Sequence, residues 1–388
     1  MQYNLQNSLL TSLKIGGKSG FKKPSSWPDI RKSAMPNSIR LLADMRYPLG
    51  LIATATGGYS VDIDGEHYDD YNSAAQFSVA DWADYTDTDG YNIDYPTGAT
   101  KAHIIDIYPK TNGNNITAFK FAQVDTSADS ESQGALWVHF NLSNAINLEN
   151  MGSPYPYTYS NYLLTAVTAK NNVIDCGGSY VYATFNISAL TYVPTIKNGR
   201  ISALAFNSSS VEKVTLDSCH FGDNSNYCFY FNTKLEEVKL KNPTFATNGK
   251  FVYTFNQTML KTFPSNWDWT NVVEAQDIWT DYDRTNNNGK PTVIDAKAAT
   301  GLKILGIHDT NTLVGLRVSS SAPFNSETSP QIDVHNTALN RAALVQLFND
   351  LPTVTGGQTI NIAGCAGTAD LTDDDKAIAT NKGWTISE

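Results

Sequence analysis

The sequence predicts a mainly β chain with an α/β C-terminal cap, in which an N-terminal β-sandwich-like module is followed by a leucine-rich-repeat solenoid. Three observations carry this prediction. One spacing (apolar, two residues, apolar, one residue, apolar or small) recurs from 137 to 265. Ahead of it, between 39 and 135, lie short β-prone runs broken by Gly, Pro and Asn. Helix-periodic segments with capping residues appear after 332 and fill the returns between strand positions.

Residues 1–38 mix Gly, Ser, Lys and Pro without sustained periodicity. This composition predicts an arm that orders only against a partner, a floppy terminus being the plainer alternative. Leu9, Leu13 and Trp27 are more apolar than a solvating tail requires, and Lys22 and Lys23 add charge, so these five are the candidate partner-docking residues. The net charge of −10 is unevenly placed: residues 1–46 hold eight Lys and Arg against Asp29 and Asp44, whereas 47–100 hold none against ten Asp and Glu. A basic arm therefore precedes an acidic module.

In the module at 39–135, strands are predicted at 39–42, 49–53, 59–63, 102–108 and 116–121. Asp64-Gly65 is a hairpin signal, because a tight primed turn needs positive φ. The same stretch, Asp62-x-Asp64-Gly65-Glu66-x-x-Asp69-Asp70, resembles part of a calcium loop. Tyr71 stands where the closing bidentate Glu belongs, which favours a solvated turn over a calcium site.

The solenoid is expected over 136–331. Its matches are Trp137/Phe140/Leu142, Leu164/Val167/Ala169, Leu190/Val193/Thr195, Val211/Val214/Leu216, Leu235/Val238/Leu240 and Leu260/Phe263/Ser265, whose starts lie 27, 26, 21, 24 and 25 residues apart. A period of roughly 20 to 29 is that of leucine-rich repeats, in which each unit gives a strand whose inward residues need a neighbour to close the core. Asn172, Asn198 and Cys219 fill the last repeat position in three units. The pattern loosens over 266–292. It resumes at Leu302/Leu305/Ile307, and a second match at Leu313/Leu316/Val318 follows 11 residues later, too soon for a coil and readable as a hairpin insertion.

Residues 332–388 read as capping repeats. Ile332/Val334, Ile360/Ile362 and Trp384/Ile386 continue the strand positions. A helix over 340–351 places Leu344, Leu347, Phe348 and Leu351 on one face, and Thr372 followed by three aspartates opens another that Gly383 ends.

Little in the sequence points to chemistry. Six histidines are scattered singly without metal-ligand spacing, and nucleotide-loop and nucleophile-elbow motifs are not found. No cofactor, metal, nucleic acid or membrane insertion is expected, and no apolar run of about 18 residues is found. Residues 1–18 do not read as a secretory signal. Cys176, Cys219, Cys228 and Cys365 are expected to be buried thiols, with a Cys219–Cys228 bridge as the alternative. The aromatics are more suggestive. Roughly half should be core, since alternate strand residues point inward. Tyr155, Tyr157, Tyr159, Trp267 and Trp269 are the candidates for a ligand-facing set.

From about Trp137 the repeats resemble the BspA-like class of leucine-rich repeats found in bacterial surface proteins and in phages of gut bacteria. The segment LNRAALVQLFNDLPTVTGGQTINIAGCAGTADLTDDDKAIATNKGWTIS resembles the capping segment of phage-encoded leucine-rich-repeat virion proteins, and GGYSVDIDGEHYDDY the β module that precedes such repeats. The resemblance implies a non-enzymatic bacteriophage structural protein, a tail, baseplate or head appendage, with a crAss-like gut phage as the source it suggests. It would be anchored to other virion proteins through residues 1–38, assembled in the host cytoplasm as a homo-oligomer or part of a larger assembly, and would present the repeats to a host surface protein or glycan. A BspA-like bacterial adhesin is one alternative. A polysaccharide-degrading appendage is another, and requires two carboxylates about 5 to 9.5 Å apart across a groove.

Overall fold

Ile39–Ala43, buried at every position but Arg40, pairs with a strand on each edge and lies inside one of the two sheets described in the N-terminal region. The computed structural model describes residues 29–30, 37–43, 49–79, 103–121, 137–142, 150–151, 165–178, 180–181, 185, 190–222, 225–283 and 289–388. The chain divides into two units, 1–200 with 205–217, and 201–204 with 218–388.

In the first unit one sheet runs in the order Ala166–Ala169, Trp137–Leu142, Ile39–Ala43, His103–Pro109, Tyr59–Ile63, Glu66–Tyr71. A second runs Gln76–Val79, Leu49–Ala55, Ile116–Phe121, Asn150–Met151. All five strands expected in 39–121 are present. Ile39, Leu41, Leu51, Ala53, Tyr59, Val61, Ile105 and Ile107 are fully buried. Arg40 and Asp106 face each other across two strands and form a two-pronged ion pair, 2.6 Å at both contacts. Such bidentate charge-assisted bonds fix register as well as adding energy. Asp64 and Gly65 both have positive φ, 54° and 88°, as a primed hairpin turn demands.

The strand Trp137–Leu142 pairs antiparallel with Ile39–Ala43, and Ala166–Ala169 adds to it in parallel. The first two repeat matches therefore extend the N-terminal sheet. The β-solenoid itself, of about eight turns, spans 173–387. The last two positions of the spacing lie two residues apart, as in any strand that buries alternate residues, which is why the sequence placed its start too early.

The early coils show how the chain turns. Val173–Asp175, Thr195–Lys197 and Lys213–Asp217 stack in parallel with Ile174, Ile196 and Leu216 in register. The strands end at residues with left-handed backbone, Asn198 (φ 54°) and Ser218 (φ 54°), and a second short strand follows, Arg200–Ile201 or His220–Phe221. Asn198 also donates from its amide to Asp175 in the neighbouring coil at 3.0 Å. The polar residue at the end of the repeat pattern thus marks a corner, a conformation Asn adopts more readily than most residues. Phe185 and Phe206 stack inside these coils at 5.1 Å.

In the second unit, Gly249–Lys250, Val272–Asp281, Ile304–Ile307, Ile332–Asp333, Thr359–Asn361 and Thr385–Ser387 form one parallel sheet. Thr292–Ala296 and Leu313–Val318 pair in parallel in another. The two closely spaced matches at 302–307 and 313–318 are therefore strands of two different sheets and not a hairpin. The expectation of an insertion is corrected, because a flattened coil has two faces and each needs its own apolar set.

The cap helices form as their end residues dictate. Helix α1, Arg341–Asp350, is capped by Asn340, whose side chain accepts from Ala343 N, and buries Leu344, Leu347 and Phe348. Its C-terminal carbonyls receive the Lys382 ammonium, at 3.0, 2.7 and 2.8 Å from Phe348, Asn349 and Leu351 O. A cation there is favoured by both the unpaired carbonyls and the helix dipole. Helix α2, Asp373–Thr380, starts in a capping box between Thr372 and Asp375. Gly383 follows with φ 88°, and a Cβ there would lie 2.2 Å from Val354 O.

Arg341 donates to Asp375 at 2.8 and 3.2 Å, which, with the Thr372 contacts, holds the Asp375 carboxyl down to about 2. A lowered carboxylate stabilises the fold fully above its ordinary value near 3.9, and loses that effect as pH falls toward about 2. Asp375→Asn should therefore lower the melting temperature above about pH 4 and flatten its fall between pH 4 and 2. Parallel wild-type and variant curves in that window would exclude the linkage.

Candidate functional site

The residues with left-handed backbone recur in the second unit, and they align a set of side chains that are distant in sequence. Tyr227, Tyr253, Asp277, Asp309, Asn336 and Gly364 have φ of 59°, 54°, 47°, 52°, 54° and 66°. At four of them the backbone N–H donates to the carbonyl just before the equivalent corner of the next coil: Tyr227 to Val252, Tyr253 to Gln276, Asp309 to His335 and Asn336 to Ala363, at 2.7 to 3.0 Å. Gly306 makes room for one corner, since a Cβ there would meet Asp277 N at 2.5 Å.

Tyrosine is an expensive occupant of a left-handed corner, where Asn, Asp and Gly are the ordinary choices. Tyr227 and Tyr253 nevertheless occupy two successive corners, their rings stacked at 5.2 Å, with Tyr230 edge-on to both at 5.7 and 6.0 Å. All three are partly exposed. Burial and the neighbouring Asp277 carboxylate push the Tyr253 hydroxyl up to about 12, so it stays a neutral donor. The result is an amphipathic ring surface with a carboxylate at its edge.

Beyond Asp277 the corner line becomes a histidine–aspartate cluster. His308 Nε2 lies 3.0 Å from Asp277 Oδ1, and His308 Nδ1 lies 3.0 Å from Asp309 Oδ2. His335 Nε2 lies 3.1 Å from the same Asp309 Oδ2, and its Nδ1 lies 2.6 Å from Asp333 Oδ1. Asn336 donates to the other Asp309 oxygen at 2.9 Å. The two imidazoles stack at 4.4 Å. Desolvation opposes charging of His308, but the Asp277 and Asp309 carboxylates outweigh it and raise its pKa. Hydrogen bonds from His308 and Asn336 lower that of Asp309 against its own desolvation. Among the described residues, His308, Asp309 and His335 are the group whose donor atoms lie close enough to share one ion, all within 4.8 Å.

Sequence reading missed this cluster because it looked for local ligand spacing. The usable signal was His308-Asp309 and His335-Asn336, two similar pairs 27 residues, one coil, apart.

Of the residues singled out in the sequence, Leu9, Leu13, Lys22, Lys23, Trp27, Tyr155, Tyr157 and Tyr159 lie outside the described residues. Trp267 and Trp269 are 7% and 6% exposed, so a ligand-facing role for these two is corrected: they pack inside the coils. The carboxylates of the acidic hairpin are taken up by neighbouring side chains, and His67 lies between two of them, 3.3 Å from Asp62 and 3.8 Å from Asp70. Asp64 meets His103 at 2.7 Å, Asp62 accepts from Tyr108 at 2.8 Å, and Asp70 accepts from Ser60 at 2.5 Å. All four cysteines are buried free thiols. Burial pushes the Cys228 and Cys365 thiols up, away from the reactive thiolate. No helix among the described residues is long and apolar enough to cross a membrane. No family model matches the chain, and neither a curated protein nor a solved structure does.

Proposed function

We propose that the chain is a non-enzymatic structural protein of a bacteriophage particle, a tail, baseplate or head appendage with BspA-like leucine-rich repeats. In this reading residues 1–38 dock it to other virion proteins, 39–135 form a β-sandwich-like module, and the coils present a surface to a protein or glycan of the host envelope. The virion half rests on the resemblance of the C-terminal capping segment. The binding half is carried by the stacked pair Tyr227 and Tyr253, held at strained corners on a partly exposed edge. Strain retained at adjacent positions points to a use other than packing. Flat rings with a polar tip suit contact with a sugar face or a protein side chain.

Two measurements test the reading. Deleting residues 1–38 should leave the coils folded and remove the protein from assembled particles; normal incorporation overturns the anchor. The full chain should bind host-envelope preparations, and Tyr227→Ser with Tyr253→Ser should weaken that binding about tenfold or more while keeping a cooperative melt. Undiminished binding by the double variant overturns the assigned surface.

A further inference from the structure

We propose that His308, Asp309 and His335 form a binding site for one divalent transition-metal ion, which clamps two successive coils of the solenoid together. The geometry points to this through what the outer atoms require. His308 Nε2 faces the Asp277 carboxylate at 3.0 Å, and His335 Nδ1 faces that of Asp333 at 2.6 Å. A carboxylate accepts, so each of these nitrogens carries a proton. In a neutral imidazole the other nitrogen is then a lone pair. Those lone pairs, His308 Nδ1 and His335 Nε2, stand 3.0 and 3.1 Å from Asp309 Oδ2, itself an acceptor. Protonated, the two rings donate to that oxygen; neutral, they turn three ligand atoms toward one another within 4.8 Å, a set that one metal ion binds in place of the protons.

The surroundings match what a metal site needs. Ligating histidines commonly donate their far nitrogen to a carboxylate, which fixes the tautomer and raises ligand basicity. Asp277 and Asp333 stand in that place. Asn336 holds the outer oxygen of Asp309 at 2.9 Å, leaving Oδ2 turned toward the rings. The two short edges, 3.0 and 3.1 Å, approach the edge of about 3.3 Å that a tetrahedron with metal–ligand bonds near 2.0 to 2.1 Å has. The third edge closes when the stacked rings splay about their Cβ–Cγ bonds so that both lone pairs converge. Asp309 is 38% exposed, which gives water access to the remaining position. Two imidazoles with one carboxylate select zinc-like ions over magnesium or calcium, which prefer all-oxygen shells. Because the ligands come from adjacent coils, the ion adds a cross-link that native packing alone does not supply.

The test uses the full chain, stripped of metal by chelator and dialysed. Titration with zinc chloride, followed by calorimetry and thermal melting, should show one equivalent bound and a raised melting temperature, with no matching response to magnesium. Cobalt(II) should give the visible absorption of a low-coordinate nitrogen and oxygen site. His335→Gln and Asp309→Asn should each weaken zinc binding at least tenfold, while His220→Gln, at a histidine outside the cluster, leaves it intact. His308→Gln serves as the parallel variant should either of the first two not fold. The proposal is overturned by a wild type that binds no zinc, or by equal zinc binding in the wild type and the cluster variants.

Discussion

Replacing Trp267 with alanine is expected to destabilise the second unit by about 3–5 kcal/mol, the range for removing a buried tryptophan. The ring is 7% exposed and sits among Phe221, Phe245, Phe251, Phe255 and Phe263 at centroid distances of 5.7, 5.0, 4.8, 5.5 and 5.6 Å. Most of these contacts are edge-on, the arrangement in which aromatic pairs add attraction beyond burial. The indole N–H has no hydrogen-bond partner. Truncation therefore loses transfer and packing energy without orphaning a polar group, and the cavity left among rigid rings closes poorly. Urea unfolding of the full chain should show a lower midpoint at unchanged slope for the transition of this unit. A loss under about 1 kcal/mol would show that the ring is not a packing centre. Trp267→Phe should recover part of the loss by refilling the volume.

The same tryptophan marks the limit of what the sequence disclosed. Local patterns were legible: the five short strands of 39–121, the Asp64-Gly65 turn, and both cap helices with Asn340 and Thr372 at their starts. Each depends on neighbours within a few residues, so propensity and capping chemistry suffice. What depended on stacking between coils was not legible. Trp267-Asp268-Trp269 reads as an irregular segment with exposed rings, because partners such as Phe221 and Phe245 are distant in sequence. The antiparallel pairing of Trp137–Leu142 with Ile39–Ala43 is equally non-local. The corner line is hidden for another reason. Its positions are 26, 24, 32, 27 and 28 residues apart and hold Tyr, Asp, Asn and Gly, which share a backbone conformation and no side-chain class. Periodicity of hydrophobicity is blind to such a line, and so to the meeting of His308 with His335.

At the C-terminal end, Trp384→Ala is expected to destabilise the last coil by about 3–5 kcal/mol. Trp384 is 2% exposed and meets Phe324 edge-on at 5.5 Å. Unlike Trp267, it also makes a buried hydrogen bond, from Nε1 to Pro352 O at 2.9 Å. Alanine leaves that carbonyl without its donor as well as opening a cavity. Trp384→Phe separates the two effects: it keeps most of the volume and removes the donor, for an expected loss of about 1–3 kcal/mol. The strand that follows, Thr385–Ser387, pairs with Thr359–Asn361 with Ile360 opposite Ile386, so the ring fixes where the final strand begins. In a stacked array each coil depends mainly on its neighbours, so the damage should stay near the end. Hydrogen exchange should rise first over 352–388 and leave the strand Val272–Asp281 protected. An unchanged melt and exchange pattern would mean that Trp384 does not hold the terminal coil, whereas a uniform rise across 218–388 would mean that the coils of this unit unfold as one cooperative block.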